Sequence, residues 1–396
     1  MREEPLLQVK PDAAEQRLEK IFLLLFAQIV ALILLSFLFQ QGVQLIWDPF
    51  YFGLDFKDFY RGFVLWIHGQ NPMDDFVLSY RLTKPPFSLA AGGLFAWTSF
   101  GRASVLFFLL NLGLVGWSVD RYARELAMLR RSRQLLLLIA AIYYPVYFLV
   151  ERGNLDGLML ALVVLAFTAQ NRLVRTVALG ASIGMKLYTG VLAAVWAYQR
   201  KWRAALAAVA AAVVLQLPFY RLFVTVHRTV DDRFATIDLR QNMSPGSLLT
   251  LGYMMFHPEL NMRVVNLTLV TIWLLTLGWK VWRSRRWETP RDWVLYLPWL
   301  VAYPALVYPY TGVFLLLVLA YVVQESRGRK LRDCDQLLLA GFLLTGVQSF
   351  GWTHALEPLS HGFMVVHLLN AIGTTLMLLG ACTWQPANAP QVAAAV

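Results

Sequence analysis

The chain has 396 residues, 58% of them hydrophobic and 15% charged, where an ordinary soluble domain carries about 25% charge. Its net charge of +11 lies in short clusters between apolar runs, too short for a nucleic-acid-binding face, so no nucleic-acid partner is expected. Cys334 and Cys382, its two cysteines, make neither a disulfide framework nor a metal motif.

Residues 1–20 read as a polar cytoplasmic leader. An apolar run of about 20 residues follows without a small-residue cleavage site, which predicts a retained helix over about 21–41 rather than a signal peptide. Further runs recur to about residue 382, with no period-2 alternation for a barrel, so the fold class is all-α and multi-pass. The polar tail, 383–396, completes the division.

Placing the basic clusters in the cytoplasm orders these runs. Spans over about 103–119, 135–150 and 155–169 connect "RYARELAMLRRSR", "ERGN" and "QNRLVR". The run over 176–198 has basic residues at both ends but length for one span, and "GMKLYTG" interrupts it. Two half-helices meeting at Lys186 satisfy the charge rule, as broken helices do where they line a cavity. A span over about 204–219 leads to an outer loop reaching about residue 263. Five more, divided by "RSRRWETPR", "YPALVYPYTG", "ESRGRKLRDCD" and "THALEPLSH", bring the total to about 11–12 membrane segments. "PPFSLAAGGLFAWTSF" is left outside, short and carrying Pro and Gly. An interfacial segment is expected there, with a true span as the alternative.

On this topology the outer face collects the polar chemistry, and charges in apolar surroundings pair or line a pathway. "DFKDFYRGFVLWIHGQNPMDD" reads as an amphipathic interfacial helix ended by Gly69 and Pro72. Asp55 at its start is either a helix cap or a functional carboxylate. In "ERGNLDG", Asn154 either caps the next helix or joins a site. Lys186, between glycines and far from any basic cluster, is a poor snorkelling lysine. His354 and His361 have no acidic partner at ligand spacing, so no metal is expected. No nucleotide-binding fingerprint occurs, and no cofactor is expected.

Five stretches in order resemble glycosyltransferase family 87, the polyprenol-phosphate-mannose-dependent enzymes of the GT-C fold. They are "DFKDFYRGFVLWIHGQNP", "KPPF", "ERGNLDGLMLAL", "GASIGMKLYTGVLAAVWAYQRKWRAAL" and "NMSPGSLL". The likeness covers the chain to about Leu249 and is vaguer beyond. Met73 stands where relatives often have tyrosine, and "YPYTG" where some have a histidine.

The resemblance implies a GT-C-like glycosyltransferase domain over 21–382 with its active site on the extracytoplasmic side of the plasma membrane. It implies transfer of a hexose, mannose in the family, from a polyprenyl-phosphate donor to a lipid or glycan acceptor hydroxyl, inverting and without metal. Spacing to "GQNP" matches the family's catalytic carboxylate to Asp55, with Asp58 as the rival. Lys186, Arg61, Arg81 and Lys84 are the candidates for the donor phosphate. Tyr60, Asn71, Glu151, Asn154, Asn242 and Tyr310 are the candidates for the sugar and acceptor. The competing reading is a polyprenyl-lipid flippase or secondary transporter, which should show two related halves; the sequence shows no such repeat.

Overall fold

The computed structural model describes residues 53–75, 84–219, 262–284, 291–302, 309–346 and 362–384, and Lys20, Leu23, Leu78 and Leu222 singly. Among the described residues every regular element is helical and no strand occurs. The expected first span over 21–41 apart from Leu23, most of the loop after residue 219, and "THALEPLSH" lie outside them.

Helix α1, Leu54–Ile67, buries Phe56, Phe59 and Gly62, positions three apart that share one helical face. It ends as its glycine predicts. Gly69 has φ +74°; its N–H reaches the Trp66 carbonyl and the Gln70 N–H reaches that of Leu65, both at 3.0 Å. This paired closure is a Schellman motif, whose left-handed residue is easiest for glycine.

Residues 86–93 form a 3-10 turn, Pro86–Leu89, and helix α2, Ala90–Gly93. Together they rise about 14 Å, too little for a bilayer, so the segment packs beneath α1 instead of forming a spanning helix. A Cβ on Gly92 would stand 2.2 Å from the Phe59 carbonyl oxygen, so the approach depends on glycine.

Helix α3, Phe100–Glu125, covers the expected span over about 103–119 and extends it at both ends. The next expected span, 135–150, is a bent pair: α4, Arg130–Ile142, and α5, Tyr144–Arg152, meet at 57°. Pro145 has no N–H to donate, and its ring would strike the carbonyl four residues back in a continuous helix. Helix α6, Asp156–Thr168, is buried over most of its length. Cations from both neighbours close its C-terminus: Arg121 Nε donates to Thr168 Oγ1 (2.9 Å) and Arg175 Nε to the Ala166 carbonyl (3.0 Å), which suits the negative end of the helix dipole.

The expected break at Lys186 is present. Helix α7, Arg172–Met185, stops at Lys186, whose backbone is extended (φ −149°, ψ 118°). A 3-10 turn, Leu187–Thr189, and helix α8, Gly190–Tyr198, continue the chain. The first piece is longer than the expected half-helix, because the Asn171 side chain accepts from the Leu173 and Val174 amides and starts it at Arg172. Helix α9, Trp202–Gln216, packs on α7 through small residues. A Cβ on Gly180 would meet Ala211 Cβ at 2.6 Å and the Ala208 carbonyl oxygen at 2.7 Å.

Beyond the outer loop come α10, Met262–Ser284; α11, Leu297–Val301; α12, Leu315–Glu325; α13, Asp333–Thr345; and α14, Gly362–Thr383. Helices α13 and α14 approach closely through Gly341, Gly373 and Gly380. Two described helices, Phe100–Glu125 and Trp202–Phe219, are long and apolar enough to cross a membrane, and the bent pair makes a third. Other apolar runs that the sequence reads as spans are shorter helices here, such as Asp156–Thr168 and Thr311–Glu325. Breaks at Pro145 and Lys186 divide what hydropathy alone counts as continuous. The outward apolar surface, with Leu206 67% and Leu275 67% exposed, marks a membrane protein, since such a surface has no place in water.

Candidate active site

The N-terminus of α1 is set by Gly53, not by Asp55. Gly53 is the N-cap residue with φ +66° and no side-chain cap. Asp55 lies two residues inside, so its carboxylate is not spent on capping. It points at the turn after α5. Arg152 Nη2 donates to Asp55 Oδ1 at 2.9 Å, and Asn154 Nδ2 donates to Oδ2 at 2.5 Å.

That turn is shaped by a second Schellman closure. Gly153 has φ +65°; its N–H bonds the Val150 carbonyl and the Asn154 N–H that of Leu149, both at 3.2 Å. The turn sits directly on α1, since a Cβ on Gly153 would meet Phe56 Cβ at 2.7 Å. Arg152 and Asn154 therefore reach Asp55 from either side of a glycine that only backbone contact allows.

Asn154 does not cap α6, whose N-cap residue is Leu155 with no side-chain cap. Its Oδ1 accepts from the Leu155 N–H at 2.7 Å and from Lys186 Nζ at 2.8 Å. Lys186 also pairs with Asp156 Oδ2, and the Tyr188 hydroxyl donates to Asp156 Oδ1. The break between α7 and α8 thus brings Lys186 and Tyr188 onto the first turn of α6. Asn154 and Asp156 are fully buried and Lys186 nearly so, and buried charges of this kind must be paired.

Lys84 approaches from the other side. Its ammonium lies 4.5 Å from the centre of the Phe59 ring, a cation–π contact. Gln216, at the end of α9, ties this double-proline segment to the lysine break: its Oε1 accepts from the Phe87 N–H and its Nε2 donates to the Gly184 carbonyl, each at 2.8 Å. Burial works to raise the Asp55 pKa, but the charges of Lys84 and Arg152 and the bonds from Asn154 and Arg152 override it. The carboxyl is held below its ordinary range. Lys84 is held below the ordinary lysine value, chiefly by burial, against the pull of Asp55.

The candidates from the sequence separate accordingly. Asp55, Lys84, Asn154 and Lys186 come together, and the field of Asp58 reaches Lys84. Arg61 pairs with Asp75 on the exposed side of α1. Tyr60 donates to the Thr98 carbonyl at 2.6 Å, bracing α1 against the segment below it. Asn71 caps the turn at Pro72–Asp74 by accepting from the Met73 N–H at 3.1 Å. Arg81 and Asn242, with the side chains of Glu151 and Tyr310, lie outside the described residues. Sequence reasoning left Arg152, Asp156 and Tyr188 off the candidate set. Asp156 had a usable signal, since a carboxylate opening an apolar helix must find a cation; the partnership of Arg152 with Asp55, 97 residues apart, had none.

Among the described residues, no three His, Cys, Asp or Glu side chains gather as metal ligands. What the cluster offers is an ionised, oriented carboxylate, a partly buried lysine beside it, and a network behind it.

No curated protein matches the chain. A family model described as Glycosyltransferase family 87 matches residues 83–303. The match extends past Leu249, further than the sequence likeness was expected to run. It contains Lys84, Arg152, Asn154, Asp156, Lys186 and Tyr188; Asp55 precedes it and is joined to it by the bonds just described. Matched over more than half its length, the chain belongs to glycosyltransferase family 87, which makes it a glycosyltransferase acting on a sugar donor and an acceptor.

Proposed function

We propose that the protein transfers a hexose, mannose on the family resemblance, from a polyprenyl-phosphate donor to a lipid or glycan hydroxyl at the extracytoplasmic face of a cell membrane. One observation carries this reading: a partly buried carboxylate, Asp55, is kept ionised by Arg152, Asn154 and Lys84 on an amphipathic helix beside apolar spans. Such a place suits a donor whose prenyl chain lies in lipid and whose head group reaches the interface.

Asp55 is the general base. It takes the acceptor hydroxyl proton as that oxygen bonds the anomeric carbon, and the bond from that carbon to the phosphate oxygen breaks. A single displacement inverts the anomeric centre. The leaving group is a lipid phosphate monoester, stable as an anion, so no general acid is needed. Lys84, near Asp55 but not bonded to it, stabilises the charge growing on that phosphate. Arg61 is a weaker candidate for this role because Asp75 already neutralises it.

The test is release of polyprenyl phosphate from polyprenyl-phosphate-mannose by the purified protein in nanodiscs of total membrane lipid, which supplies acceptor hydroxyls. Turnover by wild type, with loss of about 10²–10⁴-fold in Asp55→Asn and donor binding retained, is expected. Absence of turnover with any lipid-phosphate sugar in wild type would overturn the donor assignment.

A further inference from the structure

The orientation of the Asn154 amide is decided by its partners. A side-chain amide can turn through 180°, exchanging its oxygen and nitrogen, and only the surrounding bonds select one state. Two groups that can only donate, Lys186 Nζ and the Leu155 N–H, lie at its Oδ1. The Asp55 carboxylate, which can only accept, lies at its Nδ2. Turning the amide would lose all three bonds and set oxygen against oxygen and donor against donor.

The lysine that selects this state is itself placed by its partners. Lys186 lies at an extended break between helices, where no helical ladder continues, and Asp156 holds its ammonium. Asp156 is in turn held by Tyr188. The result is a continuous buried path from Tyr188 through Asp156, Lys186 and Asn154 to Asp55. The charged groups around Asp55 are Lys84 and Arg152 directly, Asp58 beyond Lys84, and the Lys186–Asp156 pair behind Asn154.

We propose that Asp156, acting through Lys186 and Asn154, is a positioning residue that fixes the Asp55 carboxylate so that its remaining lone pairs meet the acceptor hydroxyl. This rests on the reading of Asp55 as the base, and it moves Lys186 and Asn154 from direct substrate contact to orientation of that base.

The experiment compares Asp156→Asn, Asp156→Glu, Asn154→Asp and Asp55→Asn in the full-length protein. Each is assayed with polyprenyl-phosphate-mannose for kcat, donor KM and pH profile, and its folded fraction is measured by thermal unfolding. Asp156→Asn is expected to lower kcat by about 10²-fold, the scale of a 1 Å misplacement, with donor KM within about threefold, and Asp156→Glu to recover part of the loss. Asn154→Asp, nearly the same shape, sets a second carboxylate against Asp55. The pair then binds a proton more readily, and the acid limb rises by about one pH unit or more.

An unchanged kcat and acid limb in both Asp156→Asn and Asn154→Asp, beside an inactive Asp55→Asn, would overturn the positioning role and leave the base standing. A lowered folded fraction with an unchanged acid limb in Asn154→Asp overturns it as well. Full activity of Asp55→Asn would remove the base and the positioning role together.

Discussion

At the scale of single residues, the site turns on how Asp55 stays charged while largely hidden from water. Burial alone would favour the protonated form, and the charges of Lys84 and Arg152 outweigh it. A base works in its deprotonated form, which is populated above its pKa. With that pKa held low, turnover should stay flat from neutral pH down to about pH 5, one unit above the ordinary aspartate value of about 3.9. Lys84→Gln removes one lowering charge and leaves the burial, so its acid limb should move upward in a kcat–pH profile. A limb that stays put would show that Lys84 does not govern the base. Asp55 was legible in the sequence as a carboxylate in a polar island of an apolar chain. Whether it capped its own helix was not legible, because that depended on Gly53 adopting a left-handed conformation two residues earlier.

At the scale of elements, two glycine-closed turns and one glutamine join the parts of the site. Gly153→Ala would force an alanine into φ +65° and against Phe56 Cβ, and should destabilise the protein by roughly 1–3 kcal/mol, read as a lower Tm and a loss of activity. Gln216→Leu would leave the Phe87 N–H and the Gly184 carbonyl without the partner seen here. Both bonds are half-buried, so each orphaned group costs up to about 1–3 kcal/mol and Tm should fall there too; an unchanged Tm would mean that water or a neighbour replaces the amide. The break at Lys186 could be read from "GMKLYTG", where a lysine between glycines interrupts an apolar run. The bend at Pro145 carried a signal as well, but hydropathy averaged across it. The role of Gln216 could not be read, since its two partners lie 129 and 32 residues away and nothing local marks it.

At the scale of the whole molecule, small residues face inward and large apolar ones outward along α9. Ala205, Ala208 and Ala212 are buried while Leu206 and Val213 are exposed. This inversion of the soluble pattern is what lipid favours, because close packing rather than water exclusion holds such helices together. All-helical architecture followed directly from composition, whereas the number of crossings depends on where apolar runs break. We propose, from the charge pattern, that the end of α1 lies outside and the start of α4 in the cytoplasm. Both His68 and Arg130 are exposed, so His68→Cys should react with a membrane-impermeant maleimide on intact cells and Arg130→Cys only after permeabilisation. The reverse pattern would turn the topology over and put the site on the cytoplasmic face.

On the mechanism proposed, Asp55 removes a proton as sugar leaves a lipid phosphate, and its neighbour Asp58 serves electrostatics at most. Single-turnover transfer of mannose from polyprenyl-phosphate-mannose, measured side by side in Asp55→Asn and Asp58→Asn, tests it most directly. A loss of about 10²–10⁴-fold is expected for Asp55→Asn, and a change of less than about tenfold for Asp58→Asn. Wild-type transfer by Asp55→Asn, or a collapse seen only in Asp58→Asn, would contradict it.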